Sequence, residues 1–149
     1  MITVRHADAT DMDAVLRAGR GLYGAARFES IAPFDEERLR NLVEAADNNG
    51  TAVLVAMVDG RTVGVKALSL SQVWFSPTAL VAQELFWWVD PEHRGRGVGR
   101  ALLEAAEKWA QDKGAKLFLA VIYEGSERGP SVCERAGYRL FENTWAKVF

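Results

Sequence analysis

Residues 84–109 read ELFWWVDPEHRGRGVGRALLEAAEKW, and this stretch decides the fold. Its first part, Leu85 to Val89, is a short apolar and aromatic run of the kind that forms a buried strand. Asp90-Pro91 ends that strand. Three alternating glycines then open a helix, whose apolar residues fall on one face: Val98, Leu102, Ala105, Ala106 and Trp109. The stretch therefore predicts a strand, a tight loop and a helix.

The glycine-rich loop is a candidate phosphate site. The first turn of a helix carries unpaired N–H groups and the positive end of the helix dipole, and glycines let an anion approach that backbone. A P-loop would require Gly-Lys-Ser/Thr where this chain has Gly99-Arg100-Ala101. The dinucleotide fingerprint would require a glycine at Arg100. The loop fits a different pattern, Arg/Gln-x-x-Gly-x-Gly/Ala, which begins at Arg94.

This loop, after a strand that ends in Val-Asp-Pro-Glu-His, resembles the GNAT superfamily of N-acetyltransferases, which uses it to bind the diphosphate of coenzyme A. The resemblance implies that Val89 pairs through its main chain with the pantetheine arm, and that its N–H stabilises the oxyanion. Ser126 would add a further cofactor contact. The diphosphate would be held by the loop backbone and its arginines: Arg94, Gly95, Arg96, Gly97, Val98, Gly99 and Arg100.

Composition narrows the class of protein. The chain has 149 residues and 49% hydrophobic residues, which suits one domain, residues 1–149, with a substantial core. Its net charge is −2 and its isoelectric point is about 5.7, so a nucleic-acid binder that depends on electrostatics is disfavoured. The longest apolar run, residues 52–58, is too short to span a membrane.

The N-terminal residues and the single cysteine indicate where in the cell the protein is located, and the two histidines bear on metal binding. Residues 1–6 contain no apolar signal-peptide core. Cys133 is the only cysteine, so no intrachain disulfide forms and we expect a reducing cytoplasm. His6 and His93 lie far apart without a neighbouring cysteine, so no metal site is expected.

Periodicity and turn signals give the element order β-α-α-β-β-β-α-β-α-β-β. Thr10 is expected to cap a first helix that ends near Ala18, and Asp35 a second that ends at Asn48-Asn49-Gly50. Asp59-Gly60 predicts a hairpin between strands 51–58 and 62–70. Strands are also expected at residues 2–5, 116–123, 138–141 and 143–149, and a short helix at 130–136. This order matches the acetyltransferase fold, an α/β (α+β) fold in which helices flank a mixed central sheet.

Residues 131–138 resemble the second motif of the superfamily, commonly Leu-Tyr-x-x-x-Gly-Phe. Gly137-Tyr138 keeps its glycine–aromatic pair, but Cys133 stands where the superfamily usually has a tyrosine that protonates the departing thiolate. A cysteine side chain is too short to replace a phenol, so we expect Cys133 to pack as a small apolar residue. Tyr138, Tyr123 and water remain candidate proton donors, and Cys133 itself stays an alternative.

Glu84 is the candidate base. A carboxylate in so apolar a strand needs a partner or a function, and the superfamily often places a base or a water-ordering carboxylate in this region. Simple alternation puts Glu84 on one face with Phe86 and Trp88, opposite Trp87 and Val89. The alternative interpretations are a solvated residue at the start of the strand and a carboxylate paired with an arginine.

The acceptor side of the site is the least determined by sequence. By resemblance, Tyr23, Arg27 and Phe28 border the acceptor, and Trp74 is a further candidate for an apolar pocket wall. The sequence thus predicts direct transfer of an acetyl group from the co-substrate acetyl-CoA to a primary amine of a small molecule or peptide. Alternatives are a non-catalytic acetyl-CoA-binding module and a toxin that acetylates aminoacyl-tRNA, which the acidic isoelectric point disfavours. A homodimer is compatible with the resemblance.

Overall fold

A computed structural model describes residues 1–48 and 50–149. In this part of the chain five strands and four α-helices follow one another in a mixed α/β order, which confirms the predicted fold class. The elements are β1 (Ile2–His6), α1 (Met12–Ala25), α2 (Glu36–Glu44), β2 (Thr51–Val58), β3 (Arg61–Gln72), β4 (Leu80–Val89), α3 (Val98–Asp112), β5 (Ala115–Leu119) and α4 (Gly129–Arg135).

The strands form one sheet in the order β1-β2-β3-β4-β5. The first four are antiparallel, whereas β5 runs parallel to β4. Asp59 and Gly60 join β2 to β3 with positive φ angles of 49° and 75°, the conformation of a two-residue hairpin turn. The predicted hairpin is confirmed.

Helices cover both faces of the sheet. On one face, α3 buries Leu102 and Ala106 against β2, β3 and β4. On the other, α1 and α2 bury Val15 and Val43 against Val53, Val55 and Phe86. Asp35 caps α2 by accepting hydrogen bonds from the N–H groups of Glu37 and Arg38, as predicted. The expected helix stop at residues 48–50 includes Asn49, which lies outside the described residues; α2 itself ends at Glu44.

The start of α1 differs from the sequence prediction. Asp8, not Thr10, is the capping residue: its carboxylate accepts the N–H of Thr10 at the head of a short 3₁₀ turn, Ala9–Asp11. The N–H of Asp8 in turn donates a hydrogen bond to the carboxylate of Asp11, which completes a capping box.

The end of α1 was also predicted wrongly. The helix continues from Ala18 to Ala25, through glycines that the sequence suggested as breakers. These glycines permit close packing. A Cβ on Gly19 would lie 2.6 Å from Leu39 of α2, and a Cβ on Gly21 would lie 2.5 Å from the ring of Trp88. Tertiary contacts therefore outweigh the low helix propensity of glycine.

A β-bulge alters the faces of β4. Ala67 pairs with Phe86 and the next residue, Leu68, pairs with Glu84, so Leu85 has no partner on β3. The extra residue reverses the alternation before it. Glu84 therefore shares the α3 face with Trp87, whereas Phe86 faces α1. The predicted grouping of Glu84 with Phe86 and Trp88 is wrong.

The chain after Leu119 departs most from the prediction. β5 ends at Leu119 instead of Tyr123, because its pairing with β4 stops there. The two strands expected at 138–141 and 143–149 are not formed within the described chain: residues 139–149 are all exposed and in no regular element.

Candidate active site

The candidate site is a cleft of about 630 Å³ between two parallel strands. β4 and β5 pair only from Leu80 and Ala115 to Gln83 and Leu119, and then separate. The cleft opens at their carboxyl ends, where α/β sheets commonly bind ligands. Its walls come from the end of α1, the end of β4, the glycine loop, the segment after β5, and α4; they include Leu22, Ala26, Trp87, Val89, Gly97, Arg100, Tyr123, Ser126 and Arg128.

The main chain of Val89 faces this cleft. In an antiparallel pair, hydrogen-bonded and non-hydrogen-bonded residue pairs alternate. The N–H of Asp90 donates to the carbonyl of Val63 at 2.9 Å, so Val89, opposite Gly64, belongs to a non-hydrogen-bonded pair. Its N–H and C=O therefore point away from β3. The expected contact between Val89 and a pantetheine arm stays a prediction.

The glycine loop is shaped by three different requirements. Gly97 has a φ of 88° and stands immediately before α3, a left-handed conformation that favours glycine. Gly95, with a φ of 76°, leaves room for the side chain of Arg128, because a Cβ added at this position would lie 2.8 Å from that guanidinium. Gly99 allows the Trp87 ring to pack against the start of α3, because a Cβ added at position 99 would lie 3.2 Å from that ring. Val98 is buried and is not part of the cleft wall.

The arginines predicted for the diphosphate have different surroundings. Arg94 donates from Nε to the Val89 carbonyl at 2.8 Å and stacks over the Trp88 ring at 4.5 Å, so it holds the end of β4. Arg100 lines the cleft and pairs with Glu104 at 2.7 Å. Arg96 is exposed and is not part of the cleft wall.

Arg128 was missed by the sequence reasoning. It precedes α4, far from the glycine loop in sequence, yet its guanidinium lies over Gly95 and lines the cleft. Four arginines and two glutamates line the cleft, which suits an anionic ligand; they are Arg94, Arg100, Arg128, Arg135, Glu124 and Glu127. Ser126 also lines it, and its Oγ accepts the N–H of Gly129 at 3.2 Å.

Glu84 is buried beside a lysine. The Nζ of Lys66 lies 3.1 Å from Oε1 and 3.2 Å from Oε2 of Glu84, and both side chains are essentially inaccessible to solvent. Burial raises the pKa of Glu84 and lowers the pKa of Lys66 from their ordinary values, and each charge opposes the shift of the other. The alternative of a paired carboxylate therefore describes the geometry, with a lysine in place of an arginine.

Glu84 nevertheless touches a wall of the cleft. Its Oε2 accepts the N–H of Val121 at 3.3 Å, just beyond β5, where the chain lines the cleft. Lys66 also sits 3.7 Å above the ring of Trp87, another wall residue. The carboxylate itself is not part of the lining. Its contacts are those of a residue that holds the separated ends of β4 and β5.

The candidate acids occupy three different environments. Cys133 is buried on α4, outside the cleft lining, and burial raises the pKa of its thiol. Tyr138 packs edge-on against Phe118 and is also outside the lining; burial, then a hydrogen bond with Glu107, raises the pKa of its phenol. Tyr123 lines the cleft, and its pKa is raised by burial and then by the charge of Glu84.

The predicted acceptor residues are only partly brought together. Phe28 packs edge-on against Tyr123, with ring centroids 5.2 Å apart, so it borders the cleft. Arg27 precedes it, exposed, with a φ of 57°. Tyr23 turns its hydroxyl to the carbonyl of Ala32. Trp74 is exposed on the β3–β4 loop, at the opposite end of β4 from Val89.

Within residues 1–48 and 50–149, no helix is long and apolar enough to cross a membrane. No group of three or more histidine, cysteine, aspartate or glutamate side chains within them is arranged to hold a metal ion.

Known proteins resemble this chain in sequence and in architecture. The model of the acetyltransferase (GNAT) family matches residues 19–138. An aminoglycoside N(6′)-acetyltransferase type 1 from Stenotrophomonas maltophilia is 31% identical over 117 residues, covering 76% of this chain and 71% of that protein. A solved acetyltransferase from Trypanosoma brucei superposes with a TM-score of 0.77 over 100% of both chains, at 22% identity. An aminoglycoside N-acetyltransferase solved in complex with CoA gives a TM-score of 0.75 over 97% of each chain, at 18% identity.

Proposed function

The chain belongs to the GNAT family of acetyltransferases, and on this premise we propose that it transfers an acetyl group from acetyl-CoA to a primary amine of a small molecule or peptide. The observation that carries the proposal is the opening between β4 and β5, with the outward main chain of Val89 on one side and the glycine loop beside it. An extended pantetheine arm can pair with Val89 as an added strand would.

The loop and the arginines account for the cofactor end of the cleft. The N-terminus of α3 offers free N–H groups and a positive dipole end to a diphosphate. Arg100 and Arg128 add charge from two different elements, while Arg94 keeps the loop against β4. Acetyl-CoA acts here as the co-substrate, and no metal takes part in the proposed reaction.

The reaction is a direct transfer in a ternary complex. The amine nitrogen attacks the thioester carbon, the Val89 N–H stabilises the oxyanion, and the C–S bond breaks as the amide forms. The amine proton passes to water, and the departing thiolate takes a proton from Tyr123 or from water. Tyr123 is the favoured acid because, of the two tyrosines considered, it alone lines the cleft.

We place the acceptor on the side of the cleft formed by the end of α1, next to Phe28, which packs against the wall residue Tyr123. The relative from Stenotrophomonas maltophilia makes aminoglycosides the first amines to test. Cytoplasmic location and a single domain remain predictions.

The deciding experiment is an acetyl-CoA turnover screen with thiol detection. The panel contains aminoglycosides, polyamines, amino-acid amides and N-terminal peptides, and each hit is checked for the N-acetyl product by mass spectrometry. We expect thiol release that depends on one class of amine. Tight acetyl-CoA binding in calorimetry without turnover across the panel would instead favour the binding-module alternative.

A further inference from the structure

Asp90, the first residue after β4, joins three elements through one position of the chain. Its Oδ2 accepts a hydrogen bond from Arg17 of α1 at 3.0 Å, and its Oδ1 accepts the indole N–H of Trp88 on β4 at 3.2 Å. Its own N–H donates to the carbonyl of Val63 on β3 at 2.9 Å. The Asp90 side chain is 13% exposed and lies outside the cleft lining. This carboxylate therefore acts on the cleft through the groups that it holds.

Trp88 is the first of these groups, and it lies between the two sides of the cleft. Its ring packs against α1 at Gly21, where an added Cβ would lie 2.5 Å from the ring. The guanidinium of Arg94 stacks over the same ring at 4.5 Å and bonds to the Val89 carbonyl. Leu22, which follows Gly21, lines the cleft, as do Trp88 and Arg94 themselves. The position of the indole ring therefore sets how far the end of α1 lies from the end of β4.

Arg17 gives α1 a second attachment to the same carboxylate. Its guanidinium donates to Asp90 and, at 2.8 Å, to the carbonyl of Thr62, so it connects α1 to β3 and to the end of β4. Arg17 lies about one turn before Gly21, on the helix whose C-terminal end forms the acceptor side. Loss of the Asp90 carboxylate would take an acceptor from the guanidinium and from the indole N–H together.

We propose that Asp90 is a positioning residue, which sets the width of the acceptor side of the cleft by holding Trp88 and the end of α1 in place. The proposal rests on the proposed function, because the acceptor side matters only if an amine binds there. The coenzyme end depends on other contacts: Arg94 keeps its bond to the Val89 carbonyl, and α3 begins at the glycine loop. Asp90 should therefore affect binding of the amine and not of coenzyme A.

Steady-state kinetics of Asp90→Ala with the best amine of the turnover screen tests the proposal. We expect the KM for the amine to rise by about tenfold or more, while the Kd for coenzyme A, measured by calorimetry, stays within about twofold. A merely destabilised protein would have a smaller active fraction, which lowers kcat and leaves the KM unchanged. Asp90→Asn keeps the volume and one oxygen, so its amine KM should rise less. Circular dichroism verifies that both variants are folded.

Two arginines of α1 provide a matched pair of variants, Arg17→Met and Arg20→Met. Their side chains are 53% and 56% exposed, and each pairs with a carboxylate of another element. The partner of Arg20 is Glu36 of α2, and neither residue lines the cleft. Arg17→Met should raise the amine KM by about fivefold, whereas Arg20→Met should change it by less than about twofold.

The hold of Asp90 on the indole ring is measured in the free protein, without turnover. In ¹⁵N-labelled protein, the Trp88 indole N–H signal is assigned by its absence from Trp88→Phe. Solvent exchange of this N–H should be about tenfold faster or more in Asp90→Ala than in Arg20→Met, because only the first variant removes its acceptor.

An amine KM in Asp90→Ala that equals the native value would overturn the proposal, and so would unchanged exchange of the Trp88 indole. Equal rises in the amine KM and in the Kd for coenzyme A would overturn it as well, since they would assign Asp90 to the whole cleft. A native protein that acetylates no amine is a distinct result. It would reject the proposed function, and the acceptor role of Asp90 with it, whereas fast indole exchange in Asp90→Ala would still show that Asp90 holds Trp88.

Discussion

At the scale of single residues, the loop before α3 depends on the backbone conformation of Gly97. The Cβ of a substituted residue would lie 3.5 Å from Ile2, an ordinary contact, so the site has room for a side chain on that face. What glycine supplies is the φ of 88°, from which the chain enters α3 with its N–H groups exposed to the cleft. A β-branched residue strains that conformation.

We therefore predict that Gly97→Val weakens coenzyme A binding by more than about tenfold, roughly 1.4 kcal/mol. Calorimetry on the folded variant measures it. Gly114→Val is the control: Gly114 follows α3 with a φ of 81° and no atom within 4 Å of its Cβ, so it suffers similar backbone strain far from the loop. Equal affinities in the two variants would remove the loop conformation from the binding argument.

Tyr123 is the second residue whose role can be separated from that of its neighbours. Burial, and then the charge of Glu84, raise the pKa of Tyr123 above its ordinary value, so the phenol carries its proton at neutral pH, as a proton donor requires. We predict that Tyr123→Phe lowers kcat by about 10²-fold, a typical contribution of an acid, with acetyl-CoA affinity unchanged. Tyr138→Phe and Cys133→Ala should have smaller effects, because neither residue lines the cleft. A kcat loss confined to Cys133→Ala would assign the acid to the thiol instead.

Glu84 is either the catalytic base or a positioning residue, and variants of the Glu84–Lys66 pair distinguish the two roles. Glu84→Gln leaves Lys66 as a buried, unpaired cation, so we predict a loss of about 3–5 kcal/mol in the free energy of unfolding. The double variant Lys66→Met/Glu84→Gln should recover most of that loss. Urea unfolding of both single variants and the double variant completes the cycle.

The rate of the double variant then distinguishes the two roles. If Glu84 only holds Val121, kcat should stay within about tenfold of the native value, since the glutamine oxygen still accepts that N–H. A fall of about 10²-fold with unchanged acetyl-CoA affinity and a shifted pH profile would identify Glu84 as the base.

At the scale of elements, a buried carboxylate joins β1, α1 and β3. Asp11 accepts hydrogen bonds from Arg5 at 2.6 Å, from the N–H of Asp8 at 3.0 Å and from Thr62 at 2.9 Å. Burial alone would raise the pKa of Asp11, but these donors outweigh burial and hold its pKa below 3.8. The ionised form is therefore the one that the fold stabilises.

We predict that Asp11→Asn lowers the free energy of unfolding at pH 7 by about 1.5–3 kcal/mol, the usual range for hydrogen bonds to a charged group. Because the pKa is depressed in the fold, this contribution is present above pH 3.8 and is lost as the pH falls through the folded value. Urea unfolding at pH 7 and near pH 3 measures the difference. Asp13→Asn, at an exposed position of the first turn, should change stability by less than about 1 kcal/mol at either pH.

At the scale of the whole molecule, the edge strand β5 leads directly into one wall of the cleft. Val121 and Tyr123 follow shortly after β5 and belong to that wall. The N–H of Val121 donates to Glu84, and the ring of Tyr123 packs against Phe28, so these two contacts hold the wall.

The sequence by itself determined the features that depend on neighbouring residues. The Asp59-Gly60 hairpin, the Asp35 cap and the strand–loop–helix around the glycines all follow from backbone preferences within a few positions. The GNAT family follows from the same local pattern, and the family match over residues 19–138 agrees with it.

Only the tertiary structure decided the features that depend on residues far apart in the chain. The bulge at Leu85 turned Glu84 toward Lys66, eighteen positions away, and no alternation pattern reveals an extra residue in one strand. Arg128 reached the glycine loop because α4 packs beside it, and α1 continued through its glycines because Trp88 and Leu39 fill the space they leave. The segment at residues 139–149 has the composition of a strand but remains unpaired, because a strand forms only where a partner offers its hydrogen bonds.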